Sequence, residues 1–499
     1  MKKKKIVIIG GGISGLTAGV YGAKSGFEVE IYEKHSIVGG ECTGWDRQGY
    51  HIDNCIHWLM GTTEGTALNK IWQDVGAIGE GIEIIKSDKM YTSELDGERI
   101  TLWEDINRTE QELMLLSPED EVEIKKLMKF TKLSKNVQIP AEKPSEMFGL
   151  IDGIKMGITM KDTMKVFKEY AGMDTNDLMN RFKHPLIRCM ISDFCTKESL
   201  ASSFPMAYGN FTSGDGGVPR GGSRALAFRM QKKFESYGGK VYTNASVQKV
   251  VLEDDKAKGI QLSDGTVISA DYVICACDTD YTFGTLLPKS YMEPLMKEMY
   301  ENRKAYPVYG MFQIAFAVDC DVDVVGTETI IDFRDLQFAS WVNDRLTIKS
   351  YGYEPDFAPK GKQIIQILLG LTEDSYDYWS ELYKDKEAYC NRKEEIAQQI
   401  MKKVEERFPE YKGKLTILDI WTPMTYKRYC NAYKGYNQAF MITKYSAKRP
   451  YPSAYVEGLE NVILAGQWIS PPGGLPGAAI TGKFAIQRIL KKEKRSIKL

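Results

Sequence analysis

Residues 5–9 form a short apolar, β-branched run between lysines and glycines, the pattern of a strand buried on both faces of a parallel sheet. Glycines follow, and residues 16–25 then read as a helix ending at Gly26. Apolar residues alternate over 28–32, which predicts the next strand. Together these make a strand–helix–strand unit of about 30 residues.

Residues 68–205 read as mostly helical. Ser117 as N-cap, Pro118 at the first helical position and the acids Glu119 and Asp120 mark one helix start. Residues 147–173 form an amphipathic, methionine-rich stretch interrupted by glycines. A glycine-rich loop over 214–222 leads into a helix over 223–237, closed by Gly238 and Gly239. A strand at 240–242 precedes an antiparallel meander over 247–252 and 259–262, with Asp264-Gly265 as its turn. Residues 272–276 are again a continuous buried strand. Strands are expected at 311–318 and 363–369 and a long helix at 386–407. A last buried strand at 461–465, a Gly/Pro-rich loop over 466–477 and a helix to about residue 490 close the pattern.

The chain has 499 residues, enough for two or three domains with their own cores. Its 66 basic and 67 acidic residues give a net charge of −1, which excludes the basic field that nucleic-acid binding needs. Nine cysteines, an odd number without a Cys-x-x-Cys, fit a reducing, cytoplasmic setting. Four histidines without ligand-like clustering (His35, His51, His57, His184) give no metal site. The lysine-rich start is followed by an apolar run too short for a signal peptide, which needs roughly 7–15 residues, and no later run reaches the about 20 that span a bilayer. Nothing in the sequence signals an oligomeric state.

Gly10-Gly11-Gly12-Ile13-Ser14-Gly15 satisfies G-x-G-x-x-G in the context that gives the motif meaning, after a strand and at the opening of a helix. Gly10 permits the turn, Gly12 lets a pyrophosphate approach the backbone, and Gly15 lets helix and strand pack closely. Glu33, with Lys34 beside it, ends the second strand where an acid accepts hydrogen bonds from a ribose hydroxyl pair. An acid there favours FAD or NAD over NADP. A second glycine pair, Gly39-Gly40, follows at once.

This pair resembles the second glycine pair of glutathione-reductase-like flavoproteins, with Glu41 where many of them carry arginine. The whole chain resembles the phytoene desaturase-like branch of the flavin amine oxidase superfamily, which includes retinol saturases and carotenoid isomerases. Three segments carry the likeness. Residues 5–53 end in Gly49-Tyr50-His51-Ile52-Asp53; residues 216–278 include Val218-Pro219-Arg220-Gly221-Gly222, Val247 and Asp264-Gly265; residues 461–489 include Gly466 and Pro471-Pro472-Gly473-Gly474-Leu475-Pro476-Gly477. The resemblance implies an α/β fold with a glutathione-reductase-like discontinuous FAD-binding domain (residues 1–67, 206–284 and 453–499). A mixed α+β substrate domain (68–205 and 285–452), its first part mostly helical, completes the chain. It also implies that the Val247 backbone holds the adenine and that Gly466 and Gln467 lie along the ribityl chain and pyrophosphate. The helix entered through Leu475 and Gly477 would aim its positive end at the flavin N1–C2 edge.

His57 and Trp58 follow Asp53 on a loop expected to pass the flavin, where they either face substrate or simply pack, and Trp468 is either a wall of the same site or a packing residue. Cys275 and Cys277 lie along a buried strand, where cysteine is usually a small hydrophobe. Tyr426, Tyr429, Tyr433 and Tyr436 recur at near-helical spacing, as a core stripe or as the aromatic cage of an amine oxidase. The 147–173 stretch reads as a helical cap over the core or as a peripheral membrane contact.

The expected activity is that of an FAD-dependent oxidoreductase acting on a small hydrophobic polyene or isoprenoid substrate. Desaturation, saturation or isomerisation by hydride exchange with the flavin all fit. A flavin amine oxidase and a non-catalytic flavin-binding scaffold are the alternatives. A single G-x-G-x-x-G leaves no evident NAD(P)H domain, and no catalytic acid, base or nucleophile is legible.

Overall fold

In a computed structural model of the chain, residues 3–334, 336, 344–448 and 451–499 are described, so the first two residues of the lysine-rich start fall outside. A five-stranded parallel sheet runs in the order Lys240–Tyr242, Glu28–Tyr32, Lys5–Ile9, Tyr272–Cys275, Val462–Leu464. Strands from all three predicted segments therefore lie side by side. The alternation of the first strand decides its packing. Ile6 and Ile8 face a core formed with the helices Ile13–Lys24, Gly222–Ser236 and Gly474–Lys492. Val7 and Ile9 face the opposite core, formed with the antiparallel strands Val247–Glu253 and Lys256–Leu262. A Cβ on Gly482 would stand 2.3 Å from the Ser14 carbonyl, so the last helix crosses the first at backbone contact.

The first helix starts at Ile13, earlier than the pattern predicts, because Gly12 serves as its extended N-cap. Asp53 joins the first and second segments. Its carboxylate accepts from the Ser223 N–H (2.5 Å) and hydroxyl (2.6 Å), capping the helix that begins at Gly222.

The second layer is a seven-stranded sheet in the order Leu415–Trp421, Gly310–Val318, Gln363–Leu371, Arg345–Ser350, Glu328–Asp332, Lys89–Leu95, Glu98–Trp103. All its pairs are antiparallel except Glu328–Asp332 with Lys89–Leu95. One face buries Phe312, Ile314, Ile365 and Ile367 against the helix Lys386–Arg407. The Lys89–Leu95/Glu98–Trp103 hairpin is an unexpected interruption in the otherwise mostly helical stretch 68–205. The polar Thr92 and Ser93 hid this strand, and both are buried because they have partners. Thr92 pairs with Thr101 at 2.9 Å, and Ser93 donates to Asp193 at 2.6 Å. From Ile106 to Thr212 the chain is helical as expected. The glycine-rich loop at 214–222 contains the short strand Gly216–Pro219, which pairs on both sides with residues from the first segment and the loop before the hairpin.

Candidate active site

The two sheets and the helical block enclose one cavity of about 2030 Å³, at least twice the upper end of the ~300–1,000 Å³ typical of small-ligand sites. One end is the glycine cradle. Gly10, Gly12, Ile13, Ser14, Glu33, Lys34, Gly39 and Gly40 all border it. Gly10 has φ +104°, which L side chains rarely adopt, and a Cβ on Gly15 would stand 2.0 Å from the Gly10 carbonyl. Gly39 donates to the Gly11 carbonyl at 2.9 Å, so the second glycine pair lies across the first. Gly11, although it packs behind the turn, sets the acid: its N–H donates to Glu33 at 2.7 Å, and the His35 N–H donates to the other carboxylate oxygen at 2.8 Å. Burial raises the Glu33 pKa from the ordinary value, and these two donors oppose the shift.

Two observations show that the cradle suits a dinucleotide. The Ser14 hydroxyl, at the start of the helix, and the Thr43 hydroxyl are buried with no partner among the described residues. A buried polar group without a partner costs roughly 1–3 kcal/mol, and a phosphate oxygen at a helix N-terminus removes that cost. Lys34 is less available than its position suggests. Its ammonium is held by the Arg428 carbonyl (2.9 Å) and Asn431 Oδ1 (2.5 Å), and burial lowers its pKa. Val247 also borders the cavity, and its carbonyl accepts from the Tyr281 hydroxyl at 2.7 Å.

The last segment closes the cradle from the other side. Gly466 donates to Thr481 Oγ1 at 3.0 Å, and that hydroxyl is anchored on the Gly477 carbonyl at 2.9 Å. Gln467 bridges two segments: its Oε1 accepts from the Gly474 N–H at 3.2 Å, and its Nε2 donates to Glu41 at 3.3 Å. Leu475 and Gly477, in the first turn of the last helix, border the cavity. Glu41 also borders the cavity, where a family arginine is missing, and desolvation pushes its carboxyl well above the usual range.

The middle of the cavity is bounded by the loop after Asp53. Trp58 stacks on Phe194 at 5.9 Å, and His57 Nδ1 lies 3.0 Å from Glu328 Oε2 on the seven-stranded sheet. Trp468 is largely core: it is buried and packs edge-on against Phe440 at 5.1 Å, with only a margin on the cavity. Cys275 is buried in its strand, and burial pushes its thiol well above the ordinary value, which leaves it a hydrophobe. The four tyrosines do not act together. Tyr426 is tied to Gln313 (2.6 Å) and Asn54 (3.1 Å), Tyr429 packs edge-on against His35, and Tyr433 and Tyr436 belong to the core behind Trp468. The chain turns sharply between them, with Asn431 and Lys434 at positive φ, so no single helical stripe forms.

Sequence reasoning missed Glu328, and it missed the buried pair behind it. Arg345 Nε and Nη2 meet the two Asp193 oxygens at 2.7 and 2.9 Å. No spacing rule connects residues so far apart in the chain.

At the other end Met156, Met160, Phe167, Phe194, Leu200 and Met206 border the cavity, interleaved with polar residues such as Lys197, Ser199 and Ser203. It reaches the surface at the helices Leu150–Thr159 and Lys161–Glu169. The first of these has no buried residue. Among the described residues no helix is long and apolar enough to cross a membrane.

Comparison with known proteins agrees with this geometry. The chain is 25% identical over 508 residues to a chloroplastic prolycopene isomerase of Daucus carota, covering 97% of this chain and 79% of that one. It is 23% identical over 518 residues to a neurosporene-forming phytoene desaturase of Rhodobacter capsulatus, covering 97% and 94%. An oxidoreductase from Methanosarcina mazei shares the fold at a TM-score of 0.63 and 20% identity, over 97% of this chain and 100% of the other. Residues 8–75 match the NAD(P)-binding Rossmann-like domain, and residues 153–490 match the flavin containing amine oxidoreductase family. With that match over more than half its length, the chain belongs to the flavin-containing amine oxidoreductases, in their phytoene desaturase-like branch.

Proposed function

We propose that this enzyme binds FAD along the glycine cradle and acts on a long apolar polyene or isoprenoid chain. One observation carries the reading: a single cavity joins the glycine cradle to a region bordered by Met156, Met160, Phe167, Phe194, Leu200 and Met206. Bound flavin supplies hydride acceptance or return. The protein does the rest. Ser14, Thr43 and the first helix hold the diphosphate, Glu33 the ribose, the Val247 backbone the adenine, and Gly466 and Gln467 the ribityl chain. The first turn of the last helix, at Leu475 and Gly477, presents its positive end to the flavin ring. Glu41, whose carboxylate accepts from Gln467, borders the same end of the cavity.

The exposed helix pair supports a lipid-soluble substrate. Leu150, Ile151, Ile154, Ile158 and Met164 are all exposed, a patch that water alone does not favour, and the cavity opens beside it. We read the pair as a docking face for a lipid leaflet, with Lys155, Lys161 and Lys168 at the headgroup level.

An anaerobic titration watching the absorption of oxidised flavin tests the proposal. Polyenes in liposomes are expected to bleach it, while amines and NAD(P)H leave it oxidised. Bleaching by amines alone would move the enzyme to the oxidase branch.

A further inference from the structure

We propose that His57 exchanges a proton with the substrate carbon adjacent to the one that exchanges hydride, and that Glu328 positions it for this task. The inference rests on the placement of the flavin proposed above. In the direction of desaturation two C–H bonds break on neighbouring carbons. One hydrogen leaves with its electron pair to oxidised flavin, which is reduced. The other leaves as a proton to His57 Nε2, and its bonding electrons form the new double bond. Saturation runs the same atoms backwards, from reduced flavin and a protonated His57.

The geometry is built around the ring. Ile56, the residue before His57, is fixed at both ends of its peptide. Its N–H donates to Ser223 Oγ at 2.9 Å, and its carbonyl accepts from the Lys349 ammonium at 2.6 Å. Lys349 is fully buried and stands directly across the strand pair from Glu328. One rung of the sheet therefore holds the loop backbone with its cation and the imidazole with its anion. A carboxylate accepts only, so the 3.0 Å contact requires hydrogen on Nδ1 and leaves Nε2 as the basic nitrogen. His57 borders the cavity and keeps about a third of its side chain accessible, 35% against 15% for Glu328.

The other charged groups around the pair are committed elsewhere. Arg345 and Asp193 bind each other and Ser93, Asp53 caps the helix at Gly222, and the Tyr91 hydroxyl donates to the Met190 carbonyl. Cys55 lies beside the loop with no ion partner. His57 keeps an accessible edge on the cavity, which proton exchange with a bound substrate requires.

The test uses the full-length, flavin-loaded protein with ¹⁵N-labelled histidine, whose four imidazoles are assigned with His57→Gln. Wild-type His57 is expected as the single tautomer protonated at Nδ1, and Glu328→Ala as a mixture, with Glu328→Gln keeping the wild-type form. A mixture already present in the wild type overturns the pairing, whatever the substrate. With a polyene that bleaches the wild-type flavin, His57→Gln should keep its bound flavin and slow bleaching by about 100-fold or more. Bleaching at the wild-type rate in His57→Gln overturns the proton-transfer role. A wild type that no polyene bleaches instead removes the substrate reading and leaves the tautomer result standing.

Discussion

The parallel sheet and the seven-stranded sheet present their groups to the same cavity in different ways. The first offers mostly backbone, at turns where glycine is required because another main-chain atom occupies the place of a Cβ. The second offers side chains held in pairs: Gln313 with Tyr426, Glu328 with His57, Arg345 with Asp193. A backbone site tolerates almost no substitution at its glycines and leaves a compact trace in the sequence. A side-chain site can change its chemistry one pair at a time, and its trace is scattered along the chain. This difference suits a family in which one cofactor serves many substrates.

The comparison is broken most severely at Gly15. In Gly15→Ala the new Cβ would lie 2.0 Å from the Gly10 carbonyl, and nothing flexible can yield. The expected outcome is protein that carries no flavin and unfolds at a clearly lower temperature, read by absorbance and by a thermal melt. Gly153→Ala is the contrast. A Cβ there meets nothing within 4 Å, in a helix with no buried residue, so a gain of up to about 1 kcal/mol is expected.

The substrate half should fail through its charges. Arg345→Met leaves Asp193 buried without its partner, which costs about 3–5 kcal/mol. Urea unfolding should show this loss, and Asp193→Leu added to it should recover a large part. If the single variant loses less than about 1 kcal/mol, the pair is not what holds the helical block to the sheet.

Asp278 lies where the two halves meet, and its effect depends on pH. It follows the strand Tyr272–Cys275 and accepts from the N–H groups of Asp280 (2.7 Å) and Tyr433 (2.6 Å). Burial pushes its pKa up to about 7, above the model-peptide value of about 3.9. The folded protein then binds more protons than the unfolded chain between roughly pH 4 and 7. Its contribution to stability is therefore fully present below pH 4 and lost as pH rises through 7. Asp278→Asn should flatten that slope and be the more stable protein at pH 8, by on the order of 1–3 kcal/mol. Stability measured across this pH range in both proteins checks the sign.

How much of this was legible follows from the same contrast. The strands of the parallel sheet, though not their order, and the glycine motif Gly10 to Gly15 with Glu33 and Gly39 could be read because each sits in a local pattern with one physical meaning. The Lys89–Leu95 hairpin could not, since Thr92, Ser93 and Glu94 break the alternation that marks a strand. Their burial makes sense only with Arg345 and Thr101 in place. His57 was visible as a loop residue near the flavin, but its partner Glu328 was not, because their contact spans 271 positions. Gln467 borders the cavity, yet its link to Glu41 depends on a loop crossing that no periodicity encodes.

The finest test of the contrast sets two apolar helices against each other. Gly474–Lys492 buries Ala479, Ile480, Ala485, Ile486, Ile489 and Leu490 in the parallel-sheet core, whereas Leu150–Thr159 buries no residue. Ile151, Ile154 and Ile158 are 82%, 67% and 73% exposed, so replacing all three with serine removes little that the folded protein uses. Stability should change by no more than about 0.5 kcal/mol per site. Sedimentation with phosphatidylcholine–phosphatidylglycerol vesicles should respond quite differently, because each isoleucine buried in a leaflet contributes about 1.5–3 kcal/mol. At least a tenfold loss of vesicle binding is expected, with bleaching by a detergent-solubilised polyene preserved. Unchanged vesicle binding would return the helix pair to the role of a cap, and a large loss of stability would show that the face is covered by protein instead.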